Sequence, residues 1–267
     1  MIKKEVMIDY LKQGLSTRDL AKISGESKSN VGYWINKYGI TDLMKYKKSE
    51  YTDIHYFNKI DTKEKAYILG FTIGDGHIDK RNQFSCSIQL QDREILDFIS
   101  SEVGCNIQVD KTYNKKQRKH PNASITIGNP MLCRDIQKQF GGRLKQERRI
   151  PIIPKHLERY LVLGFFDAEG CVTWGFRKDR NRLWQKISFT SQLHMLESIQ
   201  KILIKQNIAT TIRPKSDSDC YVLNFSDKDR VSMFLNYIYP NDEFIILKRK
   251  YKKAQALRLE LGEFGEV

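Results

Sequence analysis

Cysteine is scarce in this 267-residue chain, and so is every arrangement in which cysteine usually matters. The five residues Cys86, Cys105, Cys133, Cys171 and Cys220 are odd in number, far apart and never paired as C-x-x-C. That pattern suggests neither a disulfide framework nor a zinc site, and they read as reduced, mostly buried thiols. No apolar run approaches the roughly 20 residues that a membrane-spanning helix needs. Met1 leads straight into Lys3, Lys4 and Glu5, without the pattern of a secretory leader. The expectation is an intracellular protein (cytoplasm or nucleoid, or an organelle matrix) with no membrane partner. Acidic residues are also in deficit, 32 against 46 Lys and Arg, for a net charge of +14. Such an excess repels polycations and marks a nucleic-acid binder; an anionic membrane surface would attract it too. Forty per cent hydrophobic residues suffice for real cores, and the length allows one to three compact units.

What the chain does contain is one apolar pattern, twice. Ala66 to Ile78 (AYILGFTIGDGHI) and Tyr160 to Val172 (YLVLGFFDAEGCV) each read as a buried helix that ends in an acid followed by glycine. Gly70 with Gly74, and Gly164 with Ala168, are spaced i, i+4, so each small pair lies on one helix face and lets two such helices pack backbone to backbone. Gly76 and Gly170 stand where a helix stops in a left-handed turn. If the helices pair in this way, Asp75 and Glu169 arrive side by side. The last turn of a helix carries partial negative charge, so two acids there imply a cation.

The doubled pattern resembles the LAGLIDADG motif of homing endonucleases, two copies in one chain as in the single-chain members, and the resemblance extends over about Tyr56 to Leu259. It implies that Asp75 and Glu169 are the metal-binding acids. Ile73 replaces the earlier acid of the motif in the first copy, whereas Asp167 keeps it in the second; that acid is not a metal ligand in the family. The resemblance further implies one basic residue per half, at Lys145 (RLKQE) and Lys248 (ILKRK), and a solvent-organising polar residue past the second strand, at Asp92 and Gln192. The implied cofactor is Mg2+, because two carboxylates leave coordination positions open for phosphate oxygens and water.

The rest of the chain arranges itself around the two motifs. Residues 1–48 predict three short helices, the third N-capped by Ser27 with Val31, Trp34 and Ile35 on its buried face. This resembles a helix-turn-helix, in which Lys28, Ser29, Asn30 and Tyr33 would enter a major groove; a three-helix bundle for protein contacts is the alternative. A linker is expected over 49–59. From Gln83 to Gln91 the residues Phe84, Cys86, Ile88 and Leu90 alternate with Gln83, Ser85, Ser87, Gln89 and Gln91, the period of a half-buried strand. Its polar face suits base edges. Helices are predicted for Asp92–Val103 and Met131–Phe140, around a hairpin whose tip bears Lys115, Lys116, Arg118, Lys119 and His120.

The second half repeats this order, which gives αββαββα twice at an interval of about 100 residues, too long for a solenoid. The expected fold is therefore α+β: two pseudo-symmetric subdomains, 60–154 and 155–267, forming a DNA-binding β-saddle behind a small all-α unit. Lys186, Ser188, Thr190 and Arg213 are its DNA-facing residues in the second half. The expected activity is a monomeric, metal-dependent endonuclease that cuts a long asymmetric site in double-stranded DNA. A DNA-binding regulator of the same fold and an intron RNA maturase, with host intron RNA as partner, are the alternatives. An intein fits least, because the sequence shows no splicing block before the first motif and no His-Asn at its end.

Overall fold

The structure is a computed structural model that describes residues 3–12, 15–41, 43, 53–109, 121–216, 218–240 and 243–262. The hairpin tip carrying Lys115, Lys116 and Arg118 lies outside the described residues, as does the first part of the expected linker.

The N-terminal unit comprises α1 (Lys4–Lys12), α2 (Thr17–Ser24) and α3 (Lys28–Lys37). Ser16 and Asp19 form a reciprocal capping box at the start of α2, and Gly25 ends that helix in a left-handed turn with φ of 70°. Ser27 Oγ then accepts from Asn30 N at 3.1 Å to start α3. Met7, Leu11, Leu20, Val31, Ile35 and Ile40 form a separate core for these helices.

The remainder is α+β, as the alternation predicts. Helix α4 (Lys63–Asp75) is followed by β1 (Gly76–Ile78), β2 (Phe84–Gln89), α5 (Glu94–Val103), β3 (Ile107–Val109), β4 (Asn122–Ile127) and α6 (Pro130–Phe140). The plan then repeats with α7 (Glu158–Glu169), β5 (Gly170–Arg177), β6 (Arg182–Ser191), α8 (Leu193–Ile204), β7 (Thr211–Pro214), β8 (Tyr221–Phe225) and α9 (Lys228–Ile238). A basic helix, α10 (Lys248–Glu260), follows. Each half has an antiparallel four-stranded sheet, ordered β1-β2-β4-β3 and β5-β6-β8-β7. The inward faces of both sheets and the helices above them share one core, with Phe71, Phe84, Phe165, Phe166, Phe189 and Phe234 all fully buried. The outward faces form a saddle.

The segment expected as a linker joins this core early. Tyr56, Phe57 and Ile60 are buried in it, Tyr56 Oη donates to Glu102 at 2.8 Å, and Gln139 donates to the carbonyl of Phe57 at 3.0 Å. Residues 53–59 are thus part of the first half. Tyr56 and Phe57, two aromatic side chains in a polar stretch, were the signal for this.

Helices α4 and α7 hold the halves together. A methyl group placed on Gly164 would meet the Tyr67 carbonyl oxygen at 2.0 Å, and one on Gly70 would meet that of Leu161 at 2.1 Å. Only glycine permits this approach. Hydrogen bonding supports it, since Tyr67 Oη on α4 donates to Asp167 Oδ2 on α7 at 2.8 Å. One expectation is corrected here: Gly76 and Gly170 are not left-handed caps, because their φ angles are −77° and −94°, in extended backbone. Each helix runs directly into a strand, so a tight turn is not needed. Glycine serves these positions for lack of room: a methyl group on Gly76 would lie 2.5 Å from the Phe84 ring, and one on Gly170 would lie 2.0 Å from Phe166.

Candidate active site

The paired helices point their C-terminal ends into a groove of about 840 Å³ between the two sheets. Asp75 is at its floor, with Asp92, Asp167, Gln89, Gln91, Cys171 and Lys250 among the other lining residues. Across the helix pair, Gly74 lies against Ala168 and the side chain of Glu169. Solvent reaches Asp75, yet most of its surroundings are protein. That enclosure, and after it the Glu169 carboxylate, push Asp75 up to about 6, and Lys145 and Lys250 only partly oppose them. The two acids expected to be adjacent are thus close enough for the Glu169 carboxylate to weaken the ionisation of Asp75.

The protein supplies part of the expected positive charge itself. Lys145 Nζ donates to Glu169 Oε1 at 2.7 Å, bringing a residue of the first half to the acid of the second. Lys250 is almost fully buried, and its ammonium donates to the carbonyls of Phe166 at 2.6 Å, Asp167 at 2.9 Å and Gly170 at 2.7 Å. These carbonyls lie at and just past the end of α7, so the ammonium bonds to them and offsets the partial negative charge there. Arg148 does the corresponding work on α4: it is 2% exposed and donates to the Ile73 carbonyl at 2.8 Å. Burial lowers the pKa of both cations.

Lys248, the basic residue expected in the second half, is not brought to the carboxylates. Its backbone N–H donates to Glu94 at 2.6 Å, and its ammonium lies 3.9 Å from the same carboxylate with the side chain 71% exposed. Two positions along an α-helix turn the side chain by about 200°, so only one of Lys248 and Lys250 can face inward. Lys250 does. Neither it nor Arg148 was singled out in the sequence, since each sits in a basic run, KRKYKK or ERR; the signal was their spacing from apolar Ala254 and Ile150.

Asp92 is in the groove, but a bidentate ion pair engages it: Arg249 donates to its two oxygens at 2.8 Å each. The guanidinium comes from α10, so this pair braces the second half against the first. Gln192 caps the start of α8 without a side-chain hydrogen bond to the helix, half-buried and away from the groove lining. Asp167, the earlier acid of the second motif, is buried; Tyr67 satisfies one of its oxygens, and among the described residues no group satisfies the other. Burial outweighs Lys250 and Tyr67 and pushes Asp167 up to about 7.

The polar residues of the strands lie on the saddle's outward face. In the first sheet His77 pairs with Ser85, Ser85 with Thr126, Ser87 with Ser124 and Gln89 with Asn122. Gln83 falls just before β2, and Gln91 falls in a short 3-10 turn after it, where it donates to Gln89 at 2.7 Å. In the second sheet Lys186, Ser188 and Thr190 share a face of β6, and Arg213 joins them through β8. In the N-terminal unit Lys28, Ser29 and Tyr33 are exposed along α3, and the Asn30 amide donates to Glu26.

Two pseudo-symmetric α+β lobes, joined by paired helices whose acidic ends meet below a polar saddle, define a two-motif fold with a central acidic site. The family model described as "LAGLIDADG-like domain" matches residues 156–239, within the second half, and the first half repeats the same order of elements. No curated protein sequence matches the chain. Among solved structures, the I-LtrWI LAGLIDADG homing endonuclease bound to target DNA is similar with a TM-score of 0.51 and 13% identity, over 78% of this chain and 92% of that one. Meganuclease I-SmaMI bound to uncleavable DNA is similar at 0.51 and 10% identity, over 78% of this chain and 99% of that one. LAGLIDADG meganuclease I-AabMI bound to uncleaved DNA gives 0.50 and 12% identity, over 75% and 92%. These likenesses establish the fold.

Proposed function

We propose that the protein is a site-specific endonuclease that hydrolyses phosphodiester bonds in double-stranded DNA with the help of divalent cations, Mg2+ among them. One observation carries this reading. Asp75 and Glu169, 94 positions apart in sequence, end adjacent helices, near enough for the Glu169 carboxylate to raise Asp75, and Asp75 lines a groove beneath two polar sheets in a chain of charge +14. The donor set suits a hard cation, being carboxylate oxygens. When bound, the cation supplies Lewis-acid stabilisation of the phosphate and a more acidic water. The chain's residues do the rest. Asp75 and Glu169 hold the ion, Lys145 keeps Glu169 in place, and Lys250 and Arg148 keep the helix ends from repelling a phosphate. The outward strand faces bind the duplex, and basic residues beside them contact its backbone.

The test is cleavage of a genomic or random DNA library in Mg2+, followed by recovery of the cut sites. Asp75→Asn and Glu169→Gln are each expected to abolish cutting while leaving binding to the same site intact. Wild-type rates in both variants would refute the assignment of the acids. Specific binding without nicking in Mg2+ or Mn2+ would make the protein a regulator instead.

A further inference from the structure

The two inner hairpins differ in length, and the longer carries an aromatic where the shorter has ended. In the first half, β1 is three residues long, and its outward face offers only the pair His77–Ser85 before the chain turns at Asp79 to Asn82. In the second half, β5 and β6 stay paired for eight residues, and the outward pairs run Cys171–Ser188, Thr173–Lys186, Gly175–Trp184 and Arg177–Arg182. Cys171 lines the groove, so this row starts at the acidic site and leads away from it. Every member is polar, basic or small except Trp184, which is 41% exposed.

The indole is held in a defined place. Its partner across the strand is Gly175, and a methyl group there would lie 3.0 Å from Trp184 Nε1, so the ring packs over bare backbone. Arg177, Arg182, Lys186 and Ser226 join it around a recess of about 280 Å³. Cations on both sides of an exposed ring suit a polyanion with an apolar feature at its centre. In a DNA major groove that feature is the C5-methyl group of thymine.

We propose, on the basis of the endonuclease reading above, that Trp184 is a specificity-determining residue that recognises a thymine methyl group in the half-site bound by the second sheet. Its position in the target follows from the strand. Successive residues on one face are about 6.7 Å apart and base pairs about 3.4 Å, so each rung covers about two base pairs. Trp184 is two rungs beyond Cys171, which puts the thymine about four base pairs outward from the base pair facing Cys171. The first half's inner hairpin has no counterpart to this contact, because it ends one rung from the acids.

The experiment uses full-length protein and a site recovered by selection. Each thymine is replaced in turn by uracil, which removes only the methyl group, and affinity is measured by competition for wild type, Trp184→Ala and Trp184→Leu. Loss of one buried methyl group corresponds to about three- to fourfold in affinity. Wild type should show that loss at one position about four base pairs outward on the second half's side. Trp184→Ala should bind the thymine and uracil sites equally, and Trp184→Leu, still apolar, should restore part of the difference. A selected site without thymine preference there, or a uracil profile unchanged in Trp184→Ala, overturns the inference and leaves the endonuclease reading standing. So does a uniform weakening of all sites, since it would mean that the indole only braces the hairpin. A protein that binds no DNA specifically sinks both.

Discussion

Lys248 and Lys250 are the same amino acid two positions apart, and the protein uses them in opposite ways. The Lys250 ammonium is the shared donor for three carbonyls at the end of α7, and each buried acceptor left unsatisfied costs about 1–3 kcal/mol. Lys250→Met should therefore lower stability by about 1–3 kcal/mol and remove cleavage, read by urea denaturation and a plasmid-cutting assay. Lys248→Ala should be near wild type in both. Asp167 offers a pH test. Its folded pKa of about 7 exceeds the ordinary value of 3.8, so the native state holds a proton that the unfolded state releases. Stability from this group is full below about pH 4 and is lost as pH rises toward 7. In Asp167→Asn, measured in chelator, Tm should fall less over that interval, and the amide oxygen can still accept from Tyr67.

At the scale of elements, the α4–α7 contact depends on the absence of side chains. Gly164→Ala forces a methyl group against the Tyr67 carbonyl, and overpacking of this kind typically costs about 1–3 kcal/mol, here at the upper end because the obstacle is backbone. A shift of the helices also moves Asp75 relative to Glu169. Cleavage should fall more than duplex affinity, which rests on the sheets. Elements were the most legible part of the sequence. The period-two run beginning at Phe84 became β2, and the small-residue spacing gave the helix pair. Its limits were local. Leu90 continues the alternation, but the chain turns at Leu90–Asp92 to enter α5, and periodicity cannot mark where a strand stops. The acids were readable because they recur beside glycine. Arg148 and Lys250 were not, since capping a distant helix leaves no repeat in a basic run, and Asp92 could not be known to face Arg249 from a helix 157 residues later.

The described residues of the molecule form two hydrophobic cores, one small and N-terminal, one spanning both sheets. Removing residues 1–48 should therefore leave the larger core folded, with an unchanged circular dichroism transition for that part. Footprinting should show protection shortened on one side and the cut position unmoved. An unshortened footprint would assign the three N-terminal helices to a partner other than DNA. The bond between Tyr67 and Asp167 bears on how the two halves came to share one chain. Leu161 stands in the second motif where Tyr67 stands in the first, and Ile73 stands in the first where Asp167 stands in the second. Two copies of the first half, paired through their motif helices, would bury each tyrosine hydroxyl against isoleucine. Two copies of the second would bury each aspartate against leucine. Like therefore rejects like, because both pairings strand a polar group that only the unlike pairing satisfies. Whatever symmetric ancestor such a repeat descends from, this chain has given up the return to it: its halves are obligate complements, and a duplicate of either one cannot replace the other.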